Sequence, residues 1–157
     1  MAELNDEHFM KLALREAAKA RDLDEVPVGC VIVHQGKVIA RAHNQCETLT
    51  DPTAHAEMIA ITQAVAAMEA QRLTECSLFV TLEPCPMCAS ALVLARIQRI
   101  VFGAEDVKMG GTVSRYRIPT EGRLNHVIAV EGGVMAEDAR ALLQQFFRAK
   151  RKPPQDI

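Results

Sequence analysis

Short β-branched apolar segments alternate with helical segments along this chain, and that alternation constrains its fold more than any other feature. The strand-like segments share a run of apolar or β-branched residues and lie at 30–33, 38–43, 77–82, 99–102 and 126–130. Helical spacing or helix-start signals mark the remaining segments, which lie at about 5–21, 55–70, 86–96 and 136–150. Asn5 and Thr53 are predicted N-caps, and Pro86 suits a first helical position. The order of segments predicts an α/β sandwich with partly parallel strand pairing.

The length of 157 residues favours one domain, since domains commonly run about 100–200 residues. We predict a single domain over 1–152 and a frayed tail at 153–157. No apolar run approaches a membrane span, and the acidic N-terminus lacks the apolar core of a signal peptide. Five cysteines are an odd number in a chain that needs no disulfide staples. These features predict a reduced, cytoplasmic protein with no membrane partner.

Charge is distributed unevenly along the chain. Residues 1–95 carry 7 basic and 13 acidic side chains, a formal charge of −6, whereas residues 96–157 carry 11 and 7, a formal charge of +4. Either a solvated surface with a chance bias or a basic face for an anionic partner accounts for this pattern.

Cys85 and Cys88 form a C-x-x-C pair at a predicted helix start, where the spacing lets two sulfurs converge on one point. A helix N-terminus lowers thiol pKa values and so favours thiolates. Taken alone, the pair is compatible with a redox couple, a metal site or two core cysteines. Cys30 and Cys76 lie in strand-like segments and are expected to be buried as small apolar side chains.

His55-Ala56-Glu57 lies thirty residues before Cys85, and Pro84 precedes that cysteine directly. The combined pattern H-x-E…P-C-x-x-C is the signature of zinc-dependent deaminases. By that signature His55, Cys85 and Cys88 bind one zinc ion, and Glu57 shuttles protons to and from an activated water. Spacing alone does not place His55 and Glu57 at one site, because residues two apart on a helix point about 200° apart.

The resemblance extends beyond the signature over most of the chain. The matching stretches read in order VPVG at 26–29, Asn44, DPTAHAE at 51–57, VTLEPCPMC at 80–88, FGAED at 102–106, LNH at 124–126 and FF at 146–147. The chain thereby resembles the bacterial tRNA-specific adenosine deaminases of the cytidine-deaminase superfamily. That resemblance implies a three-layer α/β/α sandwich with a mixed sheet of about five strands.

The same resemblance implies hydrolytic deamination of the tRNA wobble adenosine to inosine by a zinc-dependent homodimer. It implies that Asn44 hydrogen-bonds the flipped-out base, and that the tRNA anticodon loop meets a further group of residues: Asp106, Lys108, Phe146 and Arg148. The chain departs from the family after Lys108, where Val113 stands in place of a glycine and Arg115-Tyr116-Arg117 is unusually basic.

Two alternatives remain at this stage. The same zinc chemistry could act on a free base or nucleoside such as guanine, cytosine or adenine, which the departures after Lys108 favour. The protein could also be no enzyme, with a structural zinc or a redox C-x-x-C. A structural zinc usually takes four protein ligands, whereas the signature supplies three.

Overall fold

The structure is a computed structural model and describes residues 5–151. Within that range the helices and strands run, in chain order, α1 (Asp6–Asp22), β1 (Gly29–His34), β2 (Lys37–His43), α2 (Ala56–Met68), β3 (Cys76–Leu82), α3 (Pro86–Leu94), β4 (Arg99–Ala104), β5 (Ala129–Glu131) and α4 (Ala136–Lys150). The predicted tail at 153–157 lies outside the described residues. None of the helices in the described part is long and apolar enough to cross a membrane.

The strands form one mixed sheet in the order β2-β1-β3-β4-β5. β1 pairs antiparallel with both β2 and β3, whereas β3, β4 and β5 are parallel to one another. Helix α3 makes the crossover between β3 and β4, as parallel neighbours require. The predicted mixed five-stranded sheet is therefore confirmed.

Each face of the sheet is covered by a pair of helices, which gives the predicted three layers. Because side chains alternate along a strand, β1 sends Val31 and Val33 to one face and Cys30 and Ile32 to the other. The first face packs against α1, with α4 beside it. The second packs against α2 and α3. The two cores together fix the helices relative to the strand ends.

The predicted strand at 126–130 is wrong in its bounds, since the ladder begins only at Ala129. Ile128 donates its N–H to the carbonyl of Pro119, so it is not available for pairing with β4. The His126 ring bonds to the Ile97 carbonyl at 2.8 Å. These off-ladder bonds explain why an apolar run of strand-like composition is mostly irregular here.

The segments that form the candidate site meet at one edge of the sheet, where β1 begins and β2 and β3 end. Gly29, which begins β1, pairs with His43 at the end of β2. The N–H of Gly29 also donates to the Thr81 hydroxyl, close to the end of β3. The chain leaves this edge from β2 toward α2 and from β3 toward α3. The N-termini of both helices are therefore held at the same edge.

Candidate active site

The first turn of α2 presents His55 and Glu57 from different backbone conformations. His55 is the N-cap and is extended, with φ −70° and ψ 152°, and the helix begins only at Ala56. The helical spacing argument that separates positions two apart therefore does not apply to this pair. Asn44 replaces the predicted cap Thr53, because its Oδ1 accepts the N–H of Ala56 at 3.2 Å. Thr53 instead donates its N–H and hydroxyl to Asp51.

The first turn of α3 presents the two cysteines. Cys85 is the N-cap, Pro86 follows at the start of the helix as predicted, and Cys88 lies in the first turn. Cys85 is partly exposed toward the site, whereas Cys88 is fully buried. Both are free thiols, as are the other three cysteines. Cys30 and Cys76 are fully buried, as expected of small apolar strand residues.

Three ligand atoms meet between the two helix starts. The Nδ1 atom of His55 lies 3.6 Å from the sulfur of Cys85 and 3.5 Å from that of Cys88, and all three atoms lie within 4.8 Å of one another. A tetrahedral zinc with its usual bond lengths separates nitrogen and sulfur ligands by about 3.6 Å. The imidazole and two sulfurs are also the soft ligands that zinc prefers. The donor set therefore fits one zinc ion.

Hydrogen bonds within the cluster shift the pKa values of its three members. A hydrogen bond from the Cys88 thiol lowers the pKa of Cys85 to about 4, with His55 adding to the effect against partial burial. The hydrogen bond to Cys85 and burial raise the pKa of Cys88. The hydrogen bond with Cys85 also raises the pKa of His55. A lowered pKa favours the thiolate form of Cys85, which is the form that binds zinc.

Glu57 is a buried acid beside this cluster, with only 4% of its surface exposed. Burial raises the pKa of Glu57 to about 7, although its own N–H and the charge of His55 oppose that rise. A carboxyl group with a pKa near neutrality can both accept and donate a proton at physiological pH.

A cavity of about 230 Å³, the inner cavity, opens beside these groups. Its walls come from several segments: Val26, Val28, Asn44, His55, Glu57, Leu82, Glu83, Cys85, Asp106 and Met109. A larger depression of about 840 Å³, the outer groove, shares Val26, Asn44 and His55 with it. The outer groove continues past Glu47 and Thr48 to α4. The inner cavity and the outer groove are therefore neighbours that meet at Val26, Asn44 and His55.

The predicted RNA-contacting residues differ in how close they lie to the inner cavity and the outer groove. Asp106 lines the inner cavity, and Phe146 lines the outer groove. Lys108 is exposed beside Asp106, whose Oδ1 accepts the Lys108 N–H at 3.2 Å, but it lines neither space. Arg148 lies apart from both and lines a separate shallow depression on α4 with Arg140 and Arg151. Only Asp106 and Phe146 of this set thus join the spaces beside the cluster.

Two buried glutamates were not singled out by the sequence analysis. Glu25 accepts hydrogen bonds from the N–H groups of Glu47 and Thr48 and from the Thr48 hydroxyl. Glu83 accepts them from Asp106 and from the segment 112–114. The sequence does offer one signal for both residues, because each lies next to an apolar strand-like run. An acid that such a run carries into the interior needs hydrogen-bond or charged partners there.

Comparisons of sequence place this chain among known deaminases. The model of the family described as "Cytidine and deoxycytidylate deaminase zinc-binding region" matches residues 4–104. The tRNA-specific adenosine deaminase of Aquifex aeolicus is 49% identical over 148 residues, which cover 94% of this chain and 97% of that protein. Its counterpart from Bacillus subtilis is 48% identical over 147 residues, covering 94% and 91%.

Solved structures give a matching result. A structure from studies of A-to-I editing by tRNA:A34 deaminases at the wobble position of transfer RNA has a TM-score of 0.84 and 44% identity, and the match covers 87% of this chain and 99% of that one. A guanine deaminase from Nitrosomonas europaea has a TM-score of 0.80 at 22% identity, with coverage of 93% and 86%. At that identity the second likeness bears on the fold alone.

Proposed function

We propose that this chain, which belongs to the tRNA-specific adenosine deaminases of the cytidine-deaminase superfamily, hydrolyses the wobble adenosine of a tRNA anticodon to inosine. One observation carries the proposal: three zinc-compatible ligand atoms and a buried acid meet beside one cavity. That cavity shares Val26, Asn44 and His55 with the outer groove of about 840 Å³, where we expect neighbouring nucleotides to lie. In the reaction, water replaces the amino group at C6 of adenine, and ammonia leaves.

His55, Cys85 and Cys88 are the residues that would hold one zinc ion per chain, through Nδ1 and the two sulfurs. When bound, zinc supplies Lewis acidity that makes a water molecule a competent nucleophile near neutral pH. Both helix N-termini direct positive ends of their dipoles at this point, which favours the thiolate form of the cysteines.

Glu57 is the proposed proton shuttle. Its carboxylate takes a proton from the attacking water and delivers it to N1 of the ring. It then takes the proton of the new C6 hydroxyl and delivers it to the departing amino group, which leaves as ammonia. Burial, which raises the pKa of Glu57 to about 7, suits both halves of that task. Its place in the first turn of α2 fixes the carboxyl group on the wall of the inner cavity.

Asn44 is the proposed contact for the extruded base. Its Oδ1 is engaged by the N–H of Ala56, so the Nδ2 group is the free end of the carboxamide. Because Asn44 lines both the inner cavity and the outer groove, that donor is available to an acceptor on a purine ring. An anticodon base is cheap to extrude because it lies in a single-stranded loop.

The flanking anticodon nucleotides would meet the outer groove and the loop after β4. Phe146 offers a face for stacking, and the ammonium of Lys150 lies 5.6 Å from its ring centre. Asp106 lines the inner cavity, the exposed Lys108 lies two residues farther along the same loop, and Arg148 would reach RNA farther out on α4. Phosphate contacts from this basic half of the chain predict binding that weakens as salt rises.

Three further assignments accompany the function. We place the deaminase domain at 1–152, and we place the protein in the cytoplasm because its substrate would be tRNA and its cysteines are free thiols. We also propose a homodimer, for which exposed apolar side chains such as Leu94, 79% exposed at the end of α3, offer contact area. Sedimentation of the zinc-loaded protein would measure its mass in solution.

The decisive experiment incubates zinc-loaded protein with tRNAs that carry a wobble adenosine and measures inosine. A parallel panel of free adenine, guanine, cytosine and adenosine separates this function from the free-base alternative. Inosine only in tRNA, with a rate that falls as salt rises, is expected. Deamination of a free base that persists at high salt, with no RNA product, would favour the alternative. Zinc binding without any deamination would point to a structural metal.

A further inference from the structure

We propose that Glu83 is a positioning residue that holds the segment 105–118, named here the Gly110 loop, against the turn carrying Cys85, and so sets where Asp106 and Lys108 meet RNA. This inference rests on the proposed function, since it concerns how the substrate is received. Glu83 also lines the inner cavity, but both of its carboxylate oxygens are engaged by donors of the loop. It acts through the loop that it holds.

The Glu83 carboxylate gathers two distant parts of the Gly110 loop. Its Oε1 accepts the N–H of Asp106 at 3.0 Å and the hydroxyl of Ser114. Its Oε2 accepts the N–H groups of Thr112, Val113 and Ser114 at 3.2, 2.9 and 2.9 Å. Only 2% of Glu83 is exposed. A buried carboxylate with this many donors fixes the loop conformation, because each unmade bond would leave a buried group unsatisfied.

The same loop is fastened to the backbone beside the cysteines. Gly111 donates its N–H to the Pro84 carbonyl at 2.8 Å. A Cβ on Gly111 would lie 2.7 Å from the carbonyl carbon of Cys85, and one on Gly110 would lie 2.2 Å from Oε2 of Glu83. The two glycines therefore allow the loop to approach Glu83 and the cysteine turn more closely than any side chain would permit.

The hydrogen bonds from Glu83 also fix part of the wall of the inner cavity. Asp106, whose N–H is bound by Glu83, lines the inner cavity, and so does Met109. The Asp106 side chain in turn accepts the N–H groups of Lys108 and Met109 at 3.2 and 3.1 Å. A shift of the Asp106 backbone would therefore move the wall of the cavity and the exposed Lys108 together.

The arrangement also explains how the chain tolerates its departure from the family at Val113. Glu83 contacts this residue only through its N–H, and the side chain is 39% exposed. The carboxylate therefore constrains the course of the loop backbone and leaves the outward side chains free. Arg115, which is exposed, donates its Nε to the Val107 carbonyl and so braces the outer side of the same loop.

The test compares wild type with Glu83→Gln, both zinc-loaded, on a tRNA with a wobble adenosine. An amide can no longer accept at both oxygens, so the Gly110 loop should open more often. We expect exchange of the amide hydrogens of Asp106 and of 112–114 to accelerate about tenfold or more. We expect KM for tRNA to rise about tenfold, with kcat within about threefold and an unchanged zinc content. Ser114→Ala, which removes a single donor, should shift both quantities less in the same direction.

Two control variants show whether the effects on amide exchange and KM are specific to the Gly110 loop. Glu25→Gln should accelerate exchange at Glu47 and Thr48 and leave the Gly110 loop protected. Glu16→Gln alters a buried acid on α1 that pairs with Lys19 away from the site, and should leave exchange of both loops and KM unchanged. If Glu83 acts through Asp106, the KM of the double variant Glu83→Gln/Asp106→Ala should be no higher than that of the worse single variant.

Several outcomes would overturn the inference. Unchanged amide exchange and KM in Glu83→Gln would rule out the positioning role. So would a double variant Glu83→Gln/Asp106→Ala whose KM increase equals the product of the two single increases. A loss of kcat together with a loss of zinc would show that Glu83 supports only the metal turn. Absence of inosine with the wild-type protein would instead refute the proposed function, and the exchange data would then still report whether Glu83 holds the loop. If Glu83→Gln does not fold, Ser114→Ala carries the same comparison.

Discussion

Two loops border the inner cavity, and a single buried glutamate holds each of them by its backbone. Glu25 holds the Cys46 loop, residues 44–55, through three hydrogen bonds, whereas Glu83 holds the Gly110 loop through five. The Cys46 loop contains no glycine, while the Gly110 loop needs two in order to lie against Glu83 and the cysteine turn.

The difference lies in what each loop is joined to. Glu83 lies two residues before Cys85, so its loop is built onto the metal-binding turn. Glu25 precedes β1 and binds Glu47 and Thr48, which lie eight and seven residues before His55 in the Cys46 loop. Substitutions in the Gly110 loop should therefore affect substrate binding strongly, and those at Glu25 should act mainly on stability.

Glu57 lies on the wall of the inner cavity that both loops border. Because it is the proposed proton shuttle, its substitution should lower activity more than any change in either loop. In Glu57→Gln we expect the rate of inosine formation to fall by about 10²–10⁴-fold, because the amide cannot carry protons. Zinc content by metal analysis should stay at one ion per chain, since Glu57 is not among the proposed ligands. Glu16→Gln serves as the matched buried-acid control with normal activity. Full activity in Glu57→Gln would remove the proton shuttle from the mechanism.

Gly111→Ala tests the close packing of the Gly110 loop against backbone. The new Cβ would lie 2.7 Å from atoms of Cys85 and Pro86 that cannot move independently. We expect the free energy of unfolding in urea to fall by about 1–3 kcal/mol and KM for tRNA to rise. Gly122→Ala is the control: it has open space around it but a φ of +77°, so it should cost about 1–2 kcal/mol without changing KM. Equal KM values in both variants would show that the close packing of the Gly110 loop does not affect tRNA binding.

Glu25 provides a pH test on the other loop. Burial raises the pKa of Glu25, but hydrogen bonds from the Thr48 hydroxyl and the N–H groups of Glu47 and Thr48 outweigh it and hold the pKa below its usual value. A lowered folded-state pKa contributes stability above the unfolded value of about 4.3, and that stability is lost as the pH falls through the folded value.

The measurement is the difference in unfolding free energy between wild type and Glu25→Gln from pH 7 to pH 3. We expect wild type to be more stable by about 1–2 kcal/mol near pH 7 and the difference to shrink below about pH 4. Taking the difference cancels titrations that both proteins share, including loss of metal. A difference that grew on acidification would mean that folding raises the pKa of Glu25 instead of lowering it.

Val113→Gly should have the smallest effect. Glu83 binds only the N–H of this residue, which glycine retains. We expect the unfolding free energy to change by less than about 1 kcal/mol, from added backbone freedom alone, and KM for tRNA to stay within about twofold. A large rise in KM would show that the valine side chain, and not the backbone, contributes to recognition.

Much of the fold could be predicted because its signals are local. Asn5 caps α1 by accepting the His8 N–H, Pro86 begins α3, and α4 has the predicted bounds Ala136–Lys150. The predictions that failed depended on distant partners. Thr53 does not cap α2 because Asn44, twelve positions before Ala56, occupies that N–H. The strand predicted at 126–130 is shortened because Pro119 takes the N–H of Ile128.

The kinds of ligand atoms at the candidate centre, their order and the accompanying acid follow from the sequence, because they depend on side-chain chemistry. The folded chain was needed to show that His55 meets cysteines 30 and 33 residues away and that Glu25 and Glu83 each hold a loop. The two glutamates bind mainly backbone N–H groups. Nearly every residue carries that donor, so no residue type marks where a buried carboxylate will find its partners.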